Sequence, residues 1–277
     1  MIVSFHPIIE AHENIICAGR PPDDSDLSAI KRADAVILPQ GCSEALYRMA
    51  RRNCPHLFPN LDVRFDFPGK RGQIHLFRQL GLAHPETRCF DSAAAYYRSS
   101  PGIQFPSVVK LDWGGQGETV FKVNHNHELD DVLNRIESFE STGQYGFLIQ
   151  EFIPTRRRSL RVVVIGSLLI AYWRVQSPDS SFGTSVADGA TIDPIVDPRV
   201  WTAAQNATRR LCRQTGLQLA GLDYIFKDID GSQEQSRPLI LEINYYFGRT
   251  GLGGSDRYYK LLEGEVDKWL ASVSLSR

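Results

Sequence analysis

The chain has 277 residues, a formal net charge of −1 and 42% hydrophobic residues, enough for one large domain or two modest ones with real cores. Balanced charge argues against nucleic acid as a bulk partner. The start, MIVSFHPIIEAHE, lacks a cationic segment followed by an apolar one, and no run approaches the roughly 20 apolar residues of a membrane span. A cytoplasmic protein with no membrane partner is therefore expected. Five cysteines, scattered and without C-x-x-C spacing, predict buried free thiols and not a disulfide framework or zinc site.

Residues 1–68 read as a small α/β unit. Ile2 to Phe5, Asn14 to Ala18 and Ala35 to Pro39 are short β-prone runs, and Asp26 to Arg32 and Ser43 to Arg52 are helical, the second opened by Ser43 as N-cap. Alternation of short strands with helices predicts a parallel sheet. His6 and His12 have no partner at metal-binding spacing and read as structural residues.

From Pro68 the text changes. Lys70 starts an amphipathic helix with Ile74, Phe77 and Leu80 on one face, ended by Gly81; a short helix follows over Ser92 to Ser99. A strand carrying Lys110 then runs into Gly114-Gly115-Gln116-Gly117 and a second β-prone run. Strand, glycine loop and strand let backbone N–H groups approach phosphates, with the lysine as point charge. This is neither a Walker loop nor a dinucleotide fingerprint, both of which open a helix. A plain glycine hairpin is the competing reading. The H-x-H at His125 and His127, before a helix over Glu128 to Glu137, carries no assigned role.

YGFLIQEFIP is a buried strand that breaks at Pro154, followed by a basic cluster at Arg156, Arg157 and Arg158. Leu160 to Ile170 and Ala171 to Val175 are strands around Gly166-Ser167. Arg161 and Arg174 stand at strand positions where arginine is costly unless paired with an anion, which points to a polyphosphate or carboxylate site. Phe182 to Asp193 is a polar loop suited to substrate or phosphate contact. Trp201 to Gly216 and Tyr258 to Val273 are helices.

The most informative stretch is Gln218 to Ser255. Leu219 to Phe226 and Pro238 to Asn244 flank a polar segment containing Asp230-Gly231, so they read as a hairpin that brings Asp223 and Glu242 to the same end. Strand alternation points Glu242 and Asn244 one way and Ile243 the other, into the core. Two carboxylates and an amide suit Mg²⁺ sharing its shell with phosphates and water; a surface hairpin with solvated acids is the alternative. The glycine-rich run YYFGRTGLGG places Arg249 beside the acids.

Taken in order, Lys70 at a helix start, Lys110 before a glycine loop, LIQEFI, Ser159-Leu160-Arg161 with VVVIG, a polar F-x-T loop, LAGLDYIF and LEINYYFG resemble the ATP-grasp superfamily, closest to its RimK-like carboxylate-amine ligases. The resemblance covers roughly Pro68 to the C-terminus. It implies an α/β (α+β) ATP-grasp fold: two small antiparallel-rich subdomains (69–150 and 151–277) clasping ATP, preceded by the small parallel unit 1–68. It further implies that Lys70 and Lys110 contact phosphates, that Gly114, Gly115 and Gly117 cover them, and that Gln150, Glu151, Phe152 and Ile153 form a hinge holding adenine. Asp223, Glu242 and Asn244 look like the family's Mg²⁺ ligands, for two ions, with Mn²⁺ as a substitute. Arg161, Arg174 and Arg249 resemble its phosphate and acyl-substrate contacts, with Arg161 and Arg249 the catalytic pair. Departures are Gly69 and Ser159, where relatives carry Asp, Ser185 in place of Asn, and Phe247 in place of Pro; they bear on substrate identity more than on ATP.

The resemblance implies a ligase that phosphorylates a carboxylate and gives the acyl phosphate to an amine. The partners are a small or peptide carboxylate and an amino-acid-like amine; homo-oligomerisation is left open. A small-molecule kinase and a non-catalytic ATP-binding regulatory module are the alternatives.

Overall fold

A computed structural model of the chain describes residues 1–99, 102–114, 119–177, 183, 189–227 and 237–277. Near the N-terminus, β1 (Ile2–Ser4), β2 (Glu13–Asn14), β3 (Ala35–Ile37) and β4 (His56–Phe58) form a parallel sheet in the order β2-β1-β3-β4. β1 and β3 are buried along their whole length, as parallel strands covered on both faces must be. Helices α1 (Asp24–Arg32) and α2 (Glu44–Asn53) complete this layer. α1 starts two residues before the expected Asp26 because Asp23, at the N-cap, forms a capping box with Asp26. Ser43 caps α2 as expected, its hydroxyl accepting from Leu46 N at 3.3 Å. β4 and the short α3 (Asp62–Asp66) were not foreseen, being too brief for a periodic signal.

Helix α4 (Gly69–Gln79) leads into a second sheet. β5 (Thr87–Phe90), β6 (Ser107–Leu111), β7 (Val120–Val123) and β8 (Phe147–Glu151) pair antiparallel in the order β5-β8-β6-β7, backed by α5 (Ala93–Ser99) and α6 (Asn126–Glu140). Val109, Phe147 and Ile149 pack there on Leu129, Leu133 and Ile136. His125, assigned no role in the sequence, is the N-cap of α6, accepting from Glu128 N.

The third sheet is antiparallel throughout: β9 (Arg158–Ile165), β10 (Leu168–Val175), β11 (Thr191–Asp193), β12 (Leu219–Phe226) and β13 (Pro238–Asn244), ordered β11-β10-β9-β12-β13. The reversal between β9 and β10 falls on Gly166-Ser167, at positive φ for Gly166, and the buried Glu265 carboxylate accepts from Ser167 N at 2.7 Å. β9 shows period two on both faces. Val162 and Val164 meet α4 and α7 (Pro198–Thr215), while Val163 and Ile165 meet α8 (Ser255–Ser272) and the first sheet. Burial of β9 from Ser159 to Ile165 makes it the central slab on which the site residues are mounted.

The two antiparallel sheets are joined in sequence by residues 152–157 and in space by Gln73 of α4. Its buried side chain donates to Ile243 O at 2.9 Å and accepts from Ile243 N at 2.8 Å, extending the ladder at the open edge of β13. Among the described residues, no helix is long and apolar enough to cross a membrane.

Candidate active site

The hairpin expected from the sequence forms, with Asp223 directly opposite Glu242; its turn, with Asp230 and Gly231, lies outside the described residues. A register shift follows Asp223, and Ile243 is buried in the core as the alternation required. Asp223 is also the direct partner of Arg161 on β9. The guanidinium grips it side-on, Nε to Oδ1 at 2.6 Å and Nη2 to Oδ2 at 3.0 Å. Arg174 Nη2 reaches Oδ2 at 2.8 Å, and Asn244 Nδ2 donates to it at 3.0 Å.

The anion that makes two strand arginines tolerable is therefore the protein's own Asp223. Burial works to raise its pKa, but the charges of Arg161 and Arg174 overcome this and hold the carboxyl below the usual range. Gly221 makes the arrangement possible: a Cβ there would stand 2.7 Å from Arg161 Nη1 and 3.1 Å from Phe247 Cβ. Ser159 accepts from Arg174 Nη2 at 3.2 Å.

Lys70 and Lys110 face this group. Burial lowers the pKa of Lys70, opposed first by the charge of Glu242 and then by Asp112. Burial and the neighbouring Lys70 bring Lys110 down to about 8, against the raising effects of Glu242 and Asp223. Lys70 Nζ donates to Trp113 O at 3.3 Å and Gly114 O at 3.2 Å, tying the helix to the start of the glycine loop. Gly114 has φ of +78°; Gly115 and Gly117 lie outside the described residues. The departure at Gly69 has a physical reason. Asp112 comes across from β6, accepts from Arg71 N at 2.7 Å and so caps α4, with Oδ1 at 2.5 Å from where a Cβ on Gly69 would sit.

Between the two antiparallel sheets lies a cleft of about 370 Å³. Gln150, Glu151, Phe152 and Ile153, the expected hinge, line one side, with Val108 and Lys110 above and Ile225 and Leu241 below. Apolar walls with a strand end at the rim suit a planar base. Sequence reading missed Lys122, which lines the cleft and stacks on Phe152 at 4.3 Å from the ring centroid. It also missed Gln73, although its place one turn after Lys70 was a usable signal. The polar loop 182–193, with Ser185, lies largely outside the described residues. Arg249 does not join the Asp223 group; it stacks on Tyr258 and Tyr259, 4.6 and 4.5 Å from their centroids, and Nη1 donates to Ser255 Oγ at 3.3 Å.

The donor set fits a hard divalent cation. Among the described residues no three His, Cys, Asp or Glu side chains gather into a metal cage. Two carboxylates and an amide suit instead an ion that takes its other ligands from phosphates and water. Among the described residues Asp223 Oδ1 accepts from Arg161 Nε alone and keeps a lone pair. Because Asn244 turns its Nδ2 toward Asp223, its carbonyl oxygen remains available.

A RimK-like ATP-grasp domain matches residues 73–262, which takes in both antiparallel sheets and the Asp223 group. The chain belongs to the RimK-like ATP-grasp family. Among curated relatives of this RimK-like chain, a probable alpha-L-glutamate ligase 2 of Shewanella amazonensis is 27% identical over 149 residues, 53% of this chain and 44% of that protein. A probable alpha-L-glutamate ligase of Rhodopirellula baltica is 28% identical over 148 residues, 53% of this chain and 33% of that one. The aligned stretch thus spans less than half of either relative. Among solved structures, a RimK domain ATP-grasp protein of Sphaerobacter thermophilus superposes with a TM-score of 0.65 at 15% identity, covering 95% of this chain and 98% of that one. D-alanine–D-alanine ligase of Bacillus anthracis gives 0.59 at 13% identity, covering 94% and 84%. At these identities the likeness is one of fold.

Proposed function

We propose that the protein is an ATP-dependent carboxylate-amine ligase. The observation that carries this reading is the meeting of Asp223, Glu242 and Asn244 with Lys70 and Lys110 beside the cleft bounded by Gln150 to Ile153. Family membership and the relatives named alpha-L-glutamate ligase support it. The base of ATP would occupy the apolar cleft, with main-chain groups of the hinge at its edge. Lys110 would meet the phosphates, and Lys70 would hold the glycine loop over them through Trp113 O and Gly114 O.

Asp223, Glu242 and Asn244 would hold Mg²⁺, or Mn²⁺ in its place, which when bound neutralises charge on the transferring phosphoryl group. The chain's own contribution is positioning and electrostatics. A substrate carboxylate attacks the γ-phosphoryl group, ADP leaves, and the acyl phosphate so formed is attacked by an amine with release of phosphate. Arg249 would orient the carboxylate. Arg161 and Arg174 serve first to hold Asp223 in place and present their remaining N–H groups to anions. Residues 1–68 are proposed as a separate small domain preceding the ATP-grasp domain 69–277.

The test is turnover. Purified protein with ATP and Mg²⁺ is offered pools of amino acids, L-glutamate first among them, together with pools of carboxylates, and phosphate release and products are measured. Amide formation stoichiometric with phosphate supports the ligase. A stable phosphate ester identifies a kinase, and absence of any turnover with intact ATP binding favours a regulatory module.

A further inference from the structure

The Arg249 corner contains more than an arginine. Among the described residues no carboxylate pairs with it, yet its guanidinium is fixed flat against two tyrosine rings. Stacking of this kind orients the N–H fork; Nη1 donates to Ser255 Oγ at 3.3 Å, and among the described residues the remaining donors are left to an anion. Tyr259 in turn meets the ring of His6 edge-on, with centroids 6.1 Å apart.

His6 follows β1 directly and is held by its own loop. Its Nδ1 accepts from Ile8 N at 3.1 Å and Ile9 N at 3.0 Å, and its backbone N–H donates to Ser4 Oγ at 3.2 Å. With Nδ1 an acceptor of two backbone donors, the ring proton stands on Nε2. Among the described residues nothing accepts from Nε2. Burial, and then the charge of Arg249, lower the His6 pKa to about 4, so the ring is a neutral donor near neutrality. Gln40, just past β3, completes the junction: its Nε2 donates to Tyr245 O at 2.6 Å and its Oε1 accepts from Tyr258 OH at 3.3 Å.

Two strand ends of the parallel sheet, at His6 and Gln40, thus abut the loop that follows Asn244. The carboxyl ends of parallel strands are where open α/β sheets bind ligands. Arg249 exerts its charge on His6 and Tyr258, whereas the charges acting on Asp223 are those of Arg161 and Arg174.

We propose that His6 and Arg249 together form a carboxylate subsite, with His6 Nε2–H as a second, neutral donor beside the guanidinium and the two tyrosine rings as its wall. This rests on the ligase reading and makes residue His6 of the N-terminal unit a specificity determinant for the carboxylate substrate. A neutral donor beside a single arginine favours a singly charged, planar oxyanion over a phosphate, whose second negative charge it does not balance.

The experiment uses the full chain, labelled with 15N-histidine and titrated with L-glutamate, glutarate, succinate and inorganic phosphate in the presence of a non-hydrolysable ATP analogue and Mg²⁺. The expected result is a saturable shift of the His6 Nε2–H resonance with a carboxylate probe but not with phosphate. Affinity should fall at least tenfold in His6→Asn and in Arg249→Lys. Asn preserves an acceptor near the position of Nδ1, so the Ser4 to Ile9 loop stays folded, while its amide N–H donors end short of the Nε2 position. No shift with any carboxylate, or unchanged affinity in a folded His6→Asn variant, overturns the subsite. Carboxylate binding at His6 without ATP turnover would sink the ligase reading and leave the subsite standing. Turnover with an unchanged KM for the carboxylate in His6→Asn would do the reverse.

Discussion

Arg161 and Asp223 face each other as direct partners on neighbouring antiparallel strands, both about 95% buried and joined by two hydrogen bonds of 2.6 and 3.0 Å. Asp223 is therefore as much a structural anchor as a candidate metal ligand, and Glu242, paired with no cation among the described residues, is not. Asp223→Asn removes the counter-charge of two guanidiniums and should cost on the order of 3–5 kcal/mol, the range for breaking a buried ion pair. Glu242→Gln should stay within about 1 kcal/mol of the parent while turnover is lost. Urea denaturation of the two variants separates the roles; equal destabilisation would show that Asp223 is not the anchor.

Gly221→Ala probes the same grip from outside. Its Cβ would lie 2.7 Å from Arg161 Nη1 and 3.0 Å from its Cδ, so the guanidinium must move off Asp223. Overpacking of this kind costs about 1–3 kcal/mol. A lowered midpoint of thermal unfolding, together with weaker Mg²⁺-dependent ATP binding, is expected. Unaltered stability would mean that Arg161 has room the structure does not show.

Gln73→Leu cuts the bridge between α4 and β13. It leaves the N–H and C=O of Ile243 without partners at the strand that carries Glu242 and Asn244, at a cost of about 2–6 kcal/mol for two buried unpaired groups. Amide exchange at Ile243 should accelerate in this variant. The concentration of Mg²⁺ needed for half-maximal turnover should rise more than the KM for ATP.

Lys110 gives a pH dependence with a definite sign. Its folded pKa, about 8, lies below the ordinary lysine value because of burial and then Lys70. The unfolded chain therefore holds the proton more tightly, and this group adds stability as pH rises through that window. ATP binding runs the other way. Phosphates favour the charged lysine, so affinity should fall as pH rises past about 8, with proton uptake on binding at that pH. Calorimetry in two buffers of different ionisation enthalpy measures this uptake; none at pH 8 in the parent, or equal uptake in Lys110→Met, would remove Lys110 from the phosphate site.

Much of this was legible in the sequence because it rests on local pattern. The Leu219–Phe226 and Pro238–Asn244 hairpin, the pairing of Asp223 with Glu242 and the inward turn of Ile243 all follow from period two. Strand arginines announced an anion, but not which one: Arg161 and Asp223 are 62 positions apart, and their meeting is set by β9 lying beside β12. Distance in sequence also hid Asp112 capping α4, Gln73 on the edge of β13, and the contact of His6 with Tyr259. His6 read as structural, and its own loop does hold it; what the sequence lacked was Arg249, brought near by the packing of the parallel sheet against α8. Short elements such as β4 carried too few residues for periodicity to speak.

The most direct test of the ligase is isotopic. Once the screen yields a carboxylate substrate, it is supplied with both carboxyl oxygens as 18O, and the released phosphate is read by 31P NMR. Attack of the carboxylate on the γ-phosphoryl group, followed by amine attack on the acyl carbon, places one labelled oxygen in phosphate for each amide formed. Unlabelled phosphate alongside amide, or label retained wholly in the product, would contradict the acyl phosphate route.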